Sequence, residues 1–186
     1  IKQYGMPNII RIELGNDIAK SAKEKSKIAK GQNENRKEND RIKDKIAKLL
    51  HIDQSEVTGK QITKMKLYEE QDGKDIYTGE GLGDIAFAGG RRFLIDDNYC
   101  EIDHVLPYSR SADDLKSNKV LVLAKSNQEK GNRTPYEWMN SNDGSHPNWE
   151  QFCLRVLSNV RLSDGKKSKL LEENFAEKEV SFIKRN

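Results

Sequence analysis

Cysteine is scarce in this chain: Cys100 and Cys153 are the only two, far apart and without partner spacing. That excludes a disulfide framework and a four-cysteine zinc knuckle, and makes a reducing compartment, the cytoplasm of a bacterium, the expectation. Long apolar runs are also missing. None approaches the roughly 20 residues that a bilayer span requires, and no signal-peptide pattern is visible, so no membrane partner is expected. Hydrophobic residues make up only 34% and aromatic ones 7%, while charged residues reach 34%, so a sizeable part of the chain cannot bury itself. Glycines occur throughout, but none leads into the Gly-Lys-Ser/Thr ending of a phosphate-cradling loop, which excludes that mode of nucleotide binding.

What is present is charge, unevenly spread. The net charge of +3 over 186 residues hides a lysine-rich stretch from Lys20 to Lys48 and a relatively acidic one from Asp72 to Asp114. A basic segment beside an acidic pocket suits a phosphate backbone plus a cation, although a charge-rich helix is often only a solvated face. The length fits one compact domain with an appendage. With Ile1 at its start and Asn186 at its end, the chain is expected to be a segment of something larger.

Periodicity predicts a strand at 7–14, carrying Glu13 near its end, and then a long polar helix from Asn16 to about Leu50. The apolar residues of that helix recover only at Ile42, Ile46, Leu49 and Leu50, the pattern of an arm or connector. A second helix is predicted over Lys60 to Gln71, ended by Asp72-Gly73. A hairpin across Gly89-Gly90 is predicted between Ile85-Ala86-Phe87 and Phe93-Leu94-Ile95. Thr134-Pro135-Tyr136-Glu137 has the form of a capping box with proline at the first helical position. From Pro147 on, Trp149, Phe152, Cys153, Val156, Leu157 and Val160 form a helical stripe expected in the core. A last helix is predicted from Lys166 to Asn174, then a short strand at 180–183. The fold class is α+β.

The chemistry concentrates in two strand-like runs. One is Cys100-Glu101-Ile102-Asp103-His104-Val105-Leu106-Pro107; the other, Lys119 to Leu123, leads into Lys125-Ser126-Asn127-Gln128-Glu129-Lys130-Gly131-Asn132. Hydrolysis of a phosphodiester needs a nucleophile made from water, a cation on the scissile phosphate and stabilisation of the leaving oxygen. Histidine is neutral and able to accept a proton near pH 7, which suits His104 to the first task. A hard cation such as magnesium takes oxygen ligands and keeps several waters, so the Asp103 carboxylate and the Asn127 carboxamide could be enough protein ligation. Adjacent strand residues point to opposite faces, so Asp103 and His104 can share a site only if the strand twists or ends there. Pro107 supports an ending. Taken singly, these are a strand-end histidine, a turn-capping carboxylate and a helix-start asparagine; their coincidence carries the argument. Lys125, Lys130 and Arg133 are candidates for phosphate contacts. His51 and His146 have no such constellation around them.

Those motifs, with Asn118-Lys119-Val120-Leu121-Val122-Leu123 and Thr134-Pro135-Tyr136-Glu137 in the same order, resemble the HNH nuclease domain of the type II CRISPR RNA-guided DNA endonucleases, most closely the compact type II-C branch. The resemblance implies a ββα-metal core, also called a His-Me finger, surrounded by helices and preceded by a long helical arm. It implies that Asp103 and Asn127 bind one Mg2+, for which Mn2+ would substitute, that His104 activates water, and that the DNA strand paired to the guide RNA is cut. The implied partners are the guide RNA–target DNA heteroduplex and the remaining domains of the effector. Ile9-Ile10-Arg11-Ile12-Glu13 resembles the second motif of the family's RuvC-like nuclease, which makes Glu13 a metal ligand of that other site, although Leu14-Gly15-Asn16-Asp17 departs from the usual continuation. Asp75 stands where many relatives have cysteine, so no zinc staple is expected and hydrophobic packing must hold the domain. The implied organisation is a RuvC-like strand segment at 1–15, a helical linker arm at 16–57, the nuclease domain at 58–165 and a return linker at 166–186. The competing readings are a free-standing HNH homing or restriction nuclease, which would need its own sequence-reading module, and a non-catalytic nucleic-acid-binding module using the basic arm.

Overall fold

A computed structural model describes residues 22–83, 91–142 and 146–175. The expected strand at 7–14 with Glu13, the glycine pair 89–90 and the expected strand at 180–183 lie outside these residues. The first element, α1 (Ala22–Leu50), is a 29-residue helix. Two compact units divide within it, one ending at Glu38 and one running from Asn39 onward. In the first unit the helix is polar and almost wholly exposed, Ile28 included at 41%.

In the second unit the same helix changes character. Ile42, Ile46 and Ala47 are buried against Met65 and Leu67 of α2 (Gly59–Glu70), with Phe93, Leu94, Cys100 and Leu121 completing the cluster. The end of the stretch expected as a linker arm, 16–57, therefore packs into this cluster. Once i, i+4 apolar spacing begins, the helix has a face that must be covered, and its last turns become core. The Thr58 side chain accepts from Gln61 N and the Gln61 side chain from Thr58 N, a capping box that starts α2.

The segment predicted as the second arm of a hairpin is instead a short helix, α3 (Arg92–Ile95), with Phe93 and Leu94 buried in the first core cluster and Ile95 exposed. Three apolar residues in a row have no period of their own, and Phe93 stacking on Tyr68 at 4.2 Å fixes the helical choice.

Two strands form the sheet. β1 (Cys100–His104) pairs antiparallel with β2 (Lys119–Leu123) in a register that runs without a break from Cys100↔Leu123 to His104↔Lys119. Period-two alternation gives the sheet two faces. Cys100, Ile102 and Leu121 meet the cluster just described, and Val120 and Val122 meet a second one built on Ile76, Tyr77, Trp138, Phe152 and Val156. Between the strands lie α4 (Tyr108–Ser111) and a turn held by Asn118. This buried asparagine accepts from Leu106 N and donates to the Leu106 and Asp113 carbonyls, at 2.8–2.9 Å.

β2 runs directly into α5 (Ala124–Lys130), followed by α6 (Pro135–Met139) with its capping box, α7 (Trp149–Ser158) and α8 (Asp164–Leu170). On α7 only part of the expected stripe is core. Phe152 and Val156 are buried, but Leu157 is 59% exposed, and Val160, beyond the helix end, is 91% exposed. Cys153 is partly buried, and burial pushes the Cys100 thiol up to about 12, so Cys100 behaves as a small hydrophobe. The start of the expected return linker, from 166, is also packed. Lys166 is fully buried with its ammonium 3.0 Å from Glu70, and Leu170 belongs to the second cluster.

Asp75, expected only as the mark of a missing zinc ligand, carries a structural load of its own. Its buried carboxylate accepts from Tyr77 N at 2.7 Å and Thr78 N at 3.2 Å through one oxygen. Through the other it accepts from Leu123 N at 2.9 Å and Ser126 Oγ at 2.8 Å. Burial pushes its pKa up, and the four donors pull it back. The turn so organised needs Gly79, whose φ is +81° and where a Cβ would lie 2.7 Å from Arg155 Nε. Arg155 in turn donates to the Ile76, Tyr77 and Thr78 carbonyls. Replacing one Asp75 oxygen with an NH2 group sets donor against donor, so Asp75→Asn is expected to destabilise the chain by ~2–3 kcal/mol. A fall in the urea unfolding midpoint at constant slope would register it.

Candidate active site

Glu101 and Asp103 are two apart on β1, and Asn127 and Lys130 are three apart on α5; the two spacings bring these four side chains together on one side of the sheet. Asn127 donates its side-chain N–H to the Glu101 carboxylate, an orientation that engages the amide nitrogen and leaves the carboxamide oxygen as an acceptor. Asp103 is only 7% exposed. It accepts a 2.6 Å hydrogen bond from the Tyr77 hydroxyl and sits 3.2 Å from the Lys130 ammonium, which also donates to the His104 carbonyl at 3.2 Å.

Electrostatically this is a buried ion pair under strain from desolvation. Burial pushes the Asp103 carboxyl above its ordinary range, while Lys130 and Tyr77 pull it back. Burial pushes Lys130 the other way, opposed by Asp103. Tyr77, wholly buried beside two carboxylates, has its pKa held well above the ordinary tyrosine range and is a hydrogen-bond donor here.

His104 occupies the other face. The strand ends at this residue, as Pro107 led one to expect, but alternation persists through it. Its ring lies with its cross-strand partner Lys119, with Nε2 2.8 Å from Asp114 Oδ1 and the Tyr108 ring 5.6 Å away. The imidazole is 27% exposed, open to water. Among the described residues, no hydrogen bond joins any two of Asp103, His104 and Asn127. They are neighbours through β1 and α5, each paired with another group.

The basic residues divide. Lys125 is exposed, with Glu129 3.8 Å away. Lys130, expected at a phosphate, is 1% exposed and neutralises Asp103, so that expectation is corrected: the core has an anion to balance before the solvent does. Arg133 is partly buried, and its guanidinium donates to the Lys130 and Glu129 carbonyls at the C-terminus of α5. Sequence reasoning missed Tyr77 and Asp114, for which spacing gave no signal. It quoted Glu101 without a role, although the two-residue period from Asp103 points to it.

Among the described residues no group of three His, Cys, Asp or Glu is placed to hold a metal. A site of one carboxylate and one carboxamide falls below that count, and its donor chemistry fits a hard cation. Asp103 and Asn127 present oxygens on facing elements, and a carboxylate has lone pairs beyond those that Tyr77 and Lys130 engage. No helix among the described residues is long and apolar enough to cross a membrane.

Residues 75–136, which span both strands and α5, match the family model for HNH endonucleases. The chain thus carries an HNH endonuclease domain with a ββα core inside an α+β fold. Over its whole length it is 35% identical to the CRISPR-associated endonuclease Cas9 1 of Streptococcus thermophilus, of which it covers 17%. Over 66% of its length it is 37% identical to the Cas9 of Staphylococcus aureus, of which it covers 12%. A crystal structure of the Streptococcus thermophilus enzyme, in complex with the GGAA PAM, superposes with a TM-score of 0.64 at 32% identity, over 88% of this chain and 15% of that one. The chain is thus homologous to part of the Cas9 CRISPR-associated endonucleases, and it spans less than a fifth of the length of these curated relatives.

If Lys130 balances a buried Asp103 charge, Lys130→Met is expected to cost ~3–5 kcal/mol at neutral pH, against ~1–2 for Tyr77→Phe. Because protonation relieves an unpaired carboxylate, the Lys130→Met deficit should shrink as pH falls. Denaturation curves of the two variants at neutral and acidic pH check both statements.

Proposed function

We propose that in the assembled effector this domain cuts the DNA strand paired to the guide RNA, by metal-assisted hydrolysis with His104 as the general base. The observation that carries this reading is a carboxylate on β1 and a carboxamide on α5, two elements in contact, with a water-accessible imidazole on the strand's last residue, within the HNH match.

Asp103 and Asn127 are the residues that would hold Mg2+, with Mn2+ as a substitute. A cation there would supply charge to the scissile phosphate and its leaving oxygen. His104 accepts the proton of the attacking water. Tyr77 fixes the Asp103 carboxylate from the core side. Glu101 fixes the Asn127 amide by taking its N–H, so that the oxygen is the atom left to ligate. Lys130 keeps Asp103 neutralised in the absence of a cation. Lys125 is the basic side chain of this group that remains exposed for the phosphate backbone. The guide RNA–target heteroduplex and the other domains of the effector are the partners of this reading, and Glu13 would serve the separate RuvC-like site.

In a full-length effector carrying this segment, His104→Ala is expected to lower nicking of the guide-paired strand by at least ~10²-fold, with DNA binding retained in a gel-shift assay. Undiminished nicking would remove His104 from the reaction. Asn127→Ala is expected to shift the magnesium dependence of the rate to higher concentration, and a titration of rate against Mg2+ that superposes on the parent curve would count against that ligand.

A further inference from the structure

Asp114 lies ten residues beyond His104, on the loop between α4 and β2, with no sequence pattern to mark it. Its Oδ1 is 2.8 Å from His104 Nε2 and 2.7 Å from Lys119 Nζ, and His104 and Lys119 are directly opposite each other across the two strands. Resting on the proposed role of His104 as base, we infer that Asp114 is the positioning residue for that base: it fixes the imidazole in the tautomer that leaves Nδ1 free to take a proton.

The chemistry follows from what each group can donate. An ionised carboxylate has no proton and only accepts. Lys119, then His104, hold the Asp114 carboxyl below its ordinary range, so it is ionised at neutral pH. The bond between them must therefore be donated by Nε2–H of the imidazole. In a neutral imidazole the second nitrogen is then the acceptor, and the partner of one ring nitrogen decides the protonation of the other.

The loop is anchored well enough to impose this. Neighbouring Asp113 accepts from Leu115 N at 2.9 Å and is paired with Lys169, while its carbonyl accepts from Asn118 Nδ2 at 2.8 Å. Asn118 itself is fully buried. On its face the ring is bounded by Tyr108, tilted at 42°. The imidazole is thus held in its plane by Asp114 and from one side by an aromatic ring, with the remainder open to water. The Asp114 side chain is 65% exposed, so trimming it opens no cavity in the core.

The test joins a structural readout to a kinetic one. In the 186-residue chain, 15N imidazole spectra of the three histidines, with His104→Ala identifying the relevant signals, are expected to show His104 in the Nε2–H form. Asp114→Ala should move it toward a tautomer mixture, Asp114→Asn should preserve it in part because its amide oxygen still accepts, and Lys119→Met should leave it in place. In the full-length effector, Asp114→Ala should lower kcat for nicking about tenfold or more, short of the ~10²–10⁴-fold that a general base contributes, with KM unchanged and Asp114→Asn intermediate. A dominant Nδ1–H form in the parent chain overturns the inference. So does a tautomer change without a loss of turnover, or a loss without the change. If His104→Ala nicks at the parent rate, it is the assignment of the base that fails, whatever the spectra show.

Discussion

One buried carboxylate sets the geometry on which the rest of this domain depends. Asp75 reaches from the turn after α2 to the junction of β2 and α5, and four donors from those two places converge on its oxygens. A charge taken out of water is costly unless its lone pairs are filled, so the turn and the junction have one favourable separation. That fixes where α5 starts and which of its sides faces β1. The i, i+3 pair Asn127 and Lys130 meets the i, i+2 pair Glu101 and Asp103 because of that register. The cross-link between turn and junction is a hydrogen-bonded anion.

The site that results has two unlike halves divided by the thickness of a strand. On the face toward Tyr77 and α5, Asp103 is buried and balanced by an ammonium. On the other, His104 is open to water and held by a carboxylate anchored on a pinned loop. Neighbouring strand residues point apart, and this gives Asp103 and His104 separate environments.

The strands, α5, the capping box at Thr134 and the end of α2 at Asp72-Gly73 were legible because each rests on local chemistry: alternation, a cap, a positive φ. The short helix at Arg92–Ile95 was not, because an apolar triplet carries no period and its partner Tyr68 is distant in sequence. Leu157 and Val160 continued an apolar stripe past the point where α7 has anything to pack on. Lys130 read as a surface cation, yet it finds its partner in a carboxylate brought near only by folding, as does Lys166. Charge is visible in a sequence; the burial of its partner is not.

By itself the sequence determined the residue types and their order: an acid and an imidazole at a strand end, an amide on the helix after the next strand, and too few cysteines for a disulfide framework or a four-cysteine zinc knuckle. These depend on neighbours a few positions away, where backbone periodicity holds. Only the tertiary structure decided that Asp75 ties the helix to the sheet, that Lys130 belongs to Asp103, and that Asp114 belongs to His104. Those pairings join residues 10 to 51 positions apart, and at such separations the path of the chain through space, not its local pattern, selects which charges meet.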